Sequence, residues 1–363
     1  MTIQTLELNN FRNYEYLQIN FDDRTNILFG QNGQGKTNIL ESVYLSGTTK
    51  SHRGAKDREM IRFDQNEAHV KAVIEKEHKQ YQIDIHLKKN KTKGIAVNKN
   101  PIRRASDLFG ILNVIVFSPE DLSIIKNGPR ERRRFLDSEL CQIDKIYLHD
   151  LSMYNKILNQ RNQLLKDIHF RPELKDTLDV WNMQILEYGT KIIRARELFI
   201  NRINDIVKPI HHHISGNKEH LIVQYEKNVS AEMYEARLEE SLSKDIQYGQ
   251  TNIGPHKDDL CFESEGIDMR KYGSQGQQRT CALSLKLAEI ELVKKEIHDM
   301  PVLLLDDVLS ELDSERQNLL LEHIQKIQTI ITCTGMDEFV KNRFQVDKIY
   351  QVAGGNVTEN IVL

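Results

Sequence analysis

Eight consecutive residues, Gly30-Gln31-Asn32-Gly33-Gln34-Gly35-Lys36-Thr37, have the types and spacing that hold a polyphosphate. Glycines let the backbone wrap close to an anion, and the free N–H groups at a helix start point at it. Lys36 then reaches the β- and γ-phosphates, and the Thr37 hydroxyl is offered to Mg²⁺. A second group lies far downstream, where the apolar run Val302-Leu303-Leu304-Leu305 ends in Asp306 and Asp307. Asp306 suits the oxygen shell of that metal, and Asp307 is placed to orient or deprotonate an attacking water. Two carboxylates at a strand end can also simply cap a helix, but the P-loop upstream favours the catalytic reading. A third group, Gly273-Ser274-Gln275-Gly276-Gln277-Gln278-Arg279, precedes a helix expected over 280–297 and again suits a phosphate. One chain already has a cradle for its own nucleotide. The second cradle therefore fits the nucleotide of another copy, as in a C₂ pair.

These side chains need rigid supports. Thr25–Phe29 reads as a buried strand, and 38–45 as a helix with apolar positions at 39, 40, 43 and 44. Pro301–Asp306 reads as a fully apolar strand whose end adjoins the P-loop strand. Lys36 and Asp306 come from opposite ends of the chain, so the helical middle must be an insertion out of one α/β body. Strand-like runs at Ile3–Leu8 and Tyr16–Phe21 open the chain, and 68–74, 80–87 and 95–97 alternate like a β-meander. After a strand at 111–117, Ser118-Pro119 starts a helical region. Leu151, Tyr154, Leu158, Leu165 and Ile168 recur at helical spacing, with Arg161 the polar exception, and a second stripe runs from Leu174 to Ile206. With a turn at 169–172 and Pro209 closing the second helix, they form a helical hairpin arm. His211-His212-His213 project in different directions from a helix end, which does not suit one metal. A strand at Leu221–Tyr225, a helix near 231–244, a strand at 330–332 and a last edge strand at Lys348–Val352 complete the pass.

The 363 residues allow two domains or one with a large insertion. The net charge of -3 gives no global polyanion signal, so any nucleic-acid surface must be local. Four separated cysteines without a Cys-x-x-Cys pair fit a reducing compartment. No apolar run is long enough to span a membrane. The expectation is a cytoplasmic protein with no membrane partner.

Together, the P-loop, the Ser274-Gln275-Gly276-Gln277 loop and Leu305-Asp306-Asp307 with Leu309-Ser310-Glu311-Leu312-Asp313 resemble the ABC-type ATPases of the SMC class. Phe11-Arg12-Asn13-Tyr14, Phe117-Ser118-Pro119-Glu120-Asp121-Leu122 and Gly254-Pro255-His256-Lys257-Asp258-Asp259-Leu260 narrow the resemblance to the bacterial RecF family, from first strand to last. The resemblance implies an α/β ATPase head with an inserted α-helical lobe bearing a short coiled-coil arm. Its expected parts are 1–117 as the N-terminal part of the ATPase lobe, 118–248 as the helical lobe with its arm at 147–208, and 249–363 as the signature loop, Asp306 strand and C-terminal part of the head. It implies that Arg12 and Asn13 join residues 30–37 in binding ATP. Ser274, Gly276 and Gln277 would close over a second subunit's γ-phosphate in an ATP-dependent homodimer, with Asp313 at that interface. It also implies slow, DNA-stimulated ATP hydrolysis, binding to double-stranded and gapped DNA, and action with RecR and RecO in recombinase loading, replication and the SOS response.

The chain departs from the ABC pattern twice. Asp307 stands where Glu is usual, with Glu311 nearby to share its role, and Thr332-Cys333-Thr334 stands where a switch histidine is usual, leaving the γ-phosphate sensor unassigned. Candidate DNA contacts are Lys88, Lys89, Lys91, Lys93, Lys99, Arg103 and Arg104, then Arg130 with Arg132–Arg134, then Lys50, Arg53, Lys56 and Arg58. Each cluster also reads as an ordinary solvated face. Two other classes stay open at this point: the ATP-binding subunit of a transporter, against which the arm speaks, and a nucleotide-gated interaction switch.

Overall fold

The computed structural model describes residues 1–335 and 347–360, without the side chains of Ala105, Glu311 and Asn360. In chain order, β1 (Thr2–Phe11), β2 (Tyr14–Asn20) and β3 (Thr25–Phe29) lead through the glycine loop to α1 (Lys36–Thr48). The meander follows as β4 (Glu67–Lys76), β5 (Lys79–Lys88), β6 (Gly94–Val97) and β7 (Asn100–Pro101), and then β8 (Val114–Phe117). The helical region holds α2 (Leu122–Lys126), α3 (Pro129–Ile143), α4 (Lys145–Ile168) and α5 (Leu178–Ile214). Next come β9 (Leu221–Glu226), α6 (Tyr234–Glu240), α7 (Leu242–Tyr248), β10 (Asp259–Ser264), β11 (Ile267–Asp268), α8 (Met269–Tyr272) and α9 (Gln275–Ile297). The chain ends with β12 (Val302–Asp306), α10 (Ser314–Ile324), β13 (Thr329–Cys333), β14 (Lys348–Ala353) and β15 (Asn356–Asn360).

Two compact units result: Met1–Asp121 with Glu289–Leu363, and Leu122–Ala288. The first is built from both chain ends. The sequence draws the return to the ATPase head at 249, whereas the second unit continues to Ala288. The physical reason is strand pairing: β10 pairs antiparallel with β9, which ties 259–264 to 221–226.

In the first unit an antiparallel sheet runs β2-β1-β4-β5-β6-β7, and a second sheet runs β15-β14-β3-β13-β12-β8. In the second sheet β14, β3, β13, β12 and β8 are parallel. Buried on both faces, its central strands need continuous apolar sequence, which Val302–Leu305 supplies. Helix α1 packs against strands of both sheets. Its Ile39, Leu40, Val43 and Leu45 are fully buried in one core with Leu6, Val70 and Ile85 of the first sheet and Leu28, Leu304 and Ile330 of the second. Burying each such side chain stabilises by about 1.5–3 kcal/mol, which fixes the helix whose first turn carries Lys36 and Thr37. Strand β14 is internal, between β3 and β15, so the edge expected at Lys348–Val352 belongs to β15.

In the second unit α4 and α5 pack as the hairpin arm. Asp144 caps α4 by accepting the Ile146 and Tyr147 N–H groups at 2.8 and 3.1 Å. Arg161 breaks the apolar stripe yet is fully buried, because Asp245 at 2.8 Å, Thr251 at 2.7 Å and Asn182 at 2.9 Å receive its guanidinium. Removing one partner of such a buried pair costs about 3–5 kcal/mol. Pro209 does not close α5, which continues to Ile214. The helix expected near 231–244 is two short helices, α6 and α7, that meet at Ser241.

Candidate functional site

The glycine loop joins β3 to α1 in a conformation that its sequence requires. Gly35, the N-cap of α1, has φ +115°, and a Cβ there would lie 2.5 Å from Asn13 Nδ2 and 2.7 Å from the Tyr14 hydroxyl oxygen. A Cβ on Gly30 would lie 2.2 Å from the Val352 carbonyl oxygen. Asn13 braces the loop: its Nδ2 donates to the Gln34 carbonyl at 3.0 Å, and its Oδ1 accepts from Asn38 Nδ2 at 2.8 Å. Gln34 Oε1 accepts the Gly354 N–H at 2.6 Å. Gln31, Asn32 and Gly33 form the exposed crest. Lys36 is buried, and its ammonium donates to the Gly30 and Gln31 carbonyls at 2.6 and 3.1 Å. These are contacts that phosphate oxygens can replace.

Arg12 lies beside this loop, with its guanidinium on Glu41 of α1 through two 2.7 Å bonds and on the Glu59 carbonyl. Burial raises the Glu41 pKa, but hydrogen bonds from Arg12 and Ser51 outweigh it and hold the carboxyl below its usual range. Glu41 is thus the anion that fixes Arg12 against the P-loop helix.

The strand that carries Asp306 is not adjacent to the P-loop strand. β13 lies between β3 and β12, and it supplies a residue to which the sequence pattern assigns no role. Thr332 Oγ1 donates to Asp306 Oδ1 at 2.8 Å and accepts the Asp307 N–H at 3.0 Å. The Thr37 hydroxyl donates to the same Asp306 oxygen at 2.9 Å. A hydroxyl and a carboxylate oxygen at one point suit a hard divalent cation such as Mg²⁺, which takes few protein ligands and completes its shell with phosphate and water. Among the described residues no cluster of three or more His, Cys, Asp or Glu side chains would hold a metal without such help.

Asp307 turns out of the strand at φ +53°, a left-handed conformation that asparagine and aspartate tolerate best. Its carboxyl is half-buried. Burial raises its pKa, Lys36 opposes this and Asp306 adds to it. A carboxylate with a raised pKa is a stronger base, which suits the water-activating role. The Glu311 side chain lies outside the described residues.

One expected outcome follows. Asp307→Asn keeps the left-handed turn and nucleotide binding but lowers single-turnover hydrolysis by about a hundredfold or more, the usual worth of a positioned base. Because folding raises the Asp307 pKa, its carboxyl lowers stability once pH climbs above the ordinary carboxylate range. The variant should therefore melt higher than the parent at neutral pH, with the gap closing in acid. Melting curves across pH, read beside hydrolysis, check both halves.

In the second unit Ser274 and Gly276 are exposed and Gln277 is half-buried. Helix α9 begins at Gln275, five residues before the start expected from sequence, because Ser274 and Gln277 form a capping box. Gln277 N–H donates to Ser274 Oγ at 3.2 Å, and Ser274 N–H donates to Gln277 Oε1 at 2.9 Å. The Gln277 amide also donates to Glu219 at 2.9 Å. Asp313 is the N-cap of α10, accepting the Arg316 N–H at 2.9 Å. Of the histidine run, His211 is buried against Ser284 at 3.0 Å, and His212 stacks on His220 at 4.5 Å between centroids.

Residues 2–358 match the family described as RecF/RecN/SMC N terminal domain. Proteins called DNA replication and repair protein RecF, from Agathobacter rectalis and Lachnospira eligens, are 62% and 58% identical to this chain, covering 98% of it and 99% of each relative. Two solved structures, of the recombination mediator protein RecF with ATP and with ATPrS in the RecFOR pathway, align with TM-scores of 0.92 and 0.91 at 34% identity. Each covers 99% of this chain, which spans 97% and 98% of theirs. An Smc head domain from Pyrococcus furiosus shares the fold at 17% identity and a TM-score of 0.55, over 99% of this chain and 95% of its own.

Proposed function

The chain belongs to the RecF/RecN/SMC N terminal domain family, and from that membership we propose that it is an ATP-dependent DNA-binding protein of recombinational repair and replication. One observation carries the reading. The P-loop hydroxyl of Thr37 and the strand-end carboxylate of Asp306 meet at 2.9 Å although 269 residues separate them in sequence. That pair, with Lys36 beside it, fits ATP and Mg²⁺. The RecF structures described with ATP and ATPrS support the nucleotide, and the oxygen pair supports the metal. Thr37 and Asp306 would hold Mg²⁺, which would supply charge neutralisation to the bound phosphates.

The chain's own groups do the rest. Lys36 transfers its ammonium from the loop carbonyls to the phosphates, and the loop amides and the α1 N-terminus bind the oxyanions. Asp307 orients and deprotonates the attacking water, held in place by Thr332. Ser274 and Gly276 of a second copy complete the site across an ATP-dependent homodimer. Slow hydrolysis reopens it. RecR and RecO are the proposed partners, as the RecFOR wording of the similar structures suggests, and the cytoplasm is the proposed compartment. Relatives named for DNA replication and repair favour this reading over a transporter subunit.

For the DNA surface, folding changes the weight of each basic cluster. Arg132 is buried against Asp259, Arg133 donates to the Asp258 carbonyl at 2.6 Å, and Arg134 pairs with Glu131. These charges are used within the second unit. Lys93 donates to Asp57 at 2.8 Å and to the Thr49 carbonyl at 2.5 Å, pinning the turn after β5 against residues 49–57. Exposed Lys89 and Lys91 thereby join exposed Lys50, Arg53, Lys56 and Arg58 in one basic surface of the first unit. We take this merged surface as the duplex contact.

Replacing Arg53, Lys56, Lys89 and Lys91 with glutamine should weaken duplex binding by about tenfold or more. The same change should flatten the salt slope by roughly 0.9 for each phosphate that is no longer neutralised. An unchanged slope rejects the surface. The wider test compares gapped with blunt duplex, with and without ATP, by DNA binding and single-turnover hydrolysis. ATP-dependent binding with no hydrolysis would leave a nucleotide-gated switch as the better description.

A further inference from the structure

The signature loop is held by a residue outside it, and the hydrogen bonds show how. Ser274 Oγ accepts the Gln277 N–H at 3.2 Å, which leaves the exposed hydroxyl's own hydrogen free to donate outward. Gln277 can play its part only one way round. Its carbonyl oxygen must face the Ser274 N–H, and its NH₂ must face an acceptor. Glu219, in the turn between α5 and β9, provides that acceptor: its Oε1 takes the Gln277 Nε2–H at 2.9 Å. An amide turned by half a rotation would set oxygen against carboxylate and NH₂ against N–H. The carboxylate therefore selects the orientation that closes the capping box.

Glu219 is itself anchored. Its N–H donates to Ser215 Oγ at 3.1 Å. Its other carboxylate oxygen lies 3.4 Å from Nε2 of fully buried His211, whose Nδ1 meets Ser284 of α9 at 3.0 Å. Glu219 is thus fixed to α9 at two heights, directly at the first turn and through His211 farther along the helix.

We propose that Glu219 is the positioning residue of the signature loop: through the Gln277 amide it locks the start of α9, so that the Ser274 hydroxyl and the first-turn amides are presented to the nucleotide of a second copy. Gln277 is then an orienting group, and Ser274 is the one that touches phosphate. The inference rests on the composite site proposed above.

The test uses the full-length protein, with ATP-dependent dimerisation read by light scattering and nucleotide binding measured on the monomer. Glu219→Ala should bind nucleotide like the parent while dimerising about tenfold or more weakly, the worth of one charge-assisted hydrogen bond. Glu219→Gln, whose carbonyl oxygen can accept the same bond, should retain most of the dimer. Gln277→Ala should match Glu219→Ala, and the double variant should be no worse than either, because both remove the same link. Additive losses would overturn the proposal. So would a Glu219→Gln defect as deep as that of Glu219→Ala, or dimerisation of Glu219→Ala equal to or stronger than the parent's, which would make the carboxylate a brake or a bystander. Ser274→Arg serves as the control: normal dimerisation by that variant would reject the composite site itself, whatever Glu219 does.

Discussion

Lys36→Ala and Lys36→Met should both abolish ATP-dependent dimerisation and turnover. The ammonium is buried at the base of the glycine loop, with two of its hydrogens donated to the Gly30 and Gln31 carbonyls. ATP brings several negative charges into that same space, and in a dehydrated site their cost must be met by a fixed cation. Backbone amides carry only partial charge and cannot replace it. Methionine matters as the second variant because it keeps an apolar stem of similar length, which separates loss of charge from loss of packing. Each carbonyl left unpaired costs about 1–3 kcal/mol at most, and water reaches the exposed Gln31, so the protein stays folded. Nucleotide affinity should fall by on the order of a hundredfold, since the variants have no charge-assisted bond to offer the phosphates. Dimer formation equal to the parent's, in light scattering at saturating ATP, would refute the role of Lys36 in gating assembly.

How much of this is legible in the sequence depends on where each signal resides. The P-loop and the Asp306 strand are visible because phosphate chemistry fixes residue types at short spacing, and an apolar run ending in carboxylates has few other uses. Thr332 is not visible as a bridge. Its role exists only because β13 lies between β3 and β12, and strand order is not written locally. The absent switch histidine marks the position without saying what replaces it. Arg132 and Arg133 mislead for a similar reason: the Asp259 carboxylate and the Asp258 carbonyl that receive them lie more than a hundred residues away, and a charge run looks solvated until the fold supplies its partners. Lys93 does the reverse, and its contact with Asp57 turns two separate clusters into one surface. The early start of α9 is legible, although the apolar run alone places it at 280. Ser274 followed three residues later by Gln277 is a capping-box signature that sequence alone contains. Pro209 fails as a terminator because tertiary packing of Ile206, Val207, His211 and Ile214 holds α5 together past a missing hydrogen bond.

The capping box also decides the second large effect. Ser274→Arg should leave nucleotide binding intact and eliminate both dimer and turnover. Ser274 belongs to the second compact unit and the P-loop to the first, so the substitution leaves every residue of the nucleotide cradle in place. Loss of the N-cap costs about 1 kcal/mol, too little to unfold the chain. The new side chain, however, is long and exposed, and it occupies the position from which the serine hydroxyl would approach a second copy's γ-phosphate. Mixing gives the sharper result. In a heterodimer of the Ser274→Arg chain with a Lys36→Ala chain, one composite site pairs an intact P-loop with an intact Ser274, and the other carries both defects. A C₂ arrangement therefore allows at most one competent site per dimer. Neither variant should dimerise or turn over ATP alone, while the mixture, in which only mixed dimers with one competent site of two can form, should recover up to about half the parent rate. Recovery requires that the two residues act on one nucleotide from different chains. A mixture as inactive as its components, under conditions where the two chains demonstrably associate, would mean that each copy hydrolyses only with its own residues or only when both sites are intact, and the composite site would have to be abandoned or made strictly cooperative.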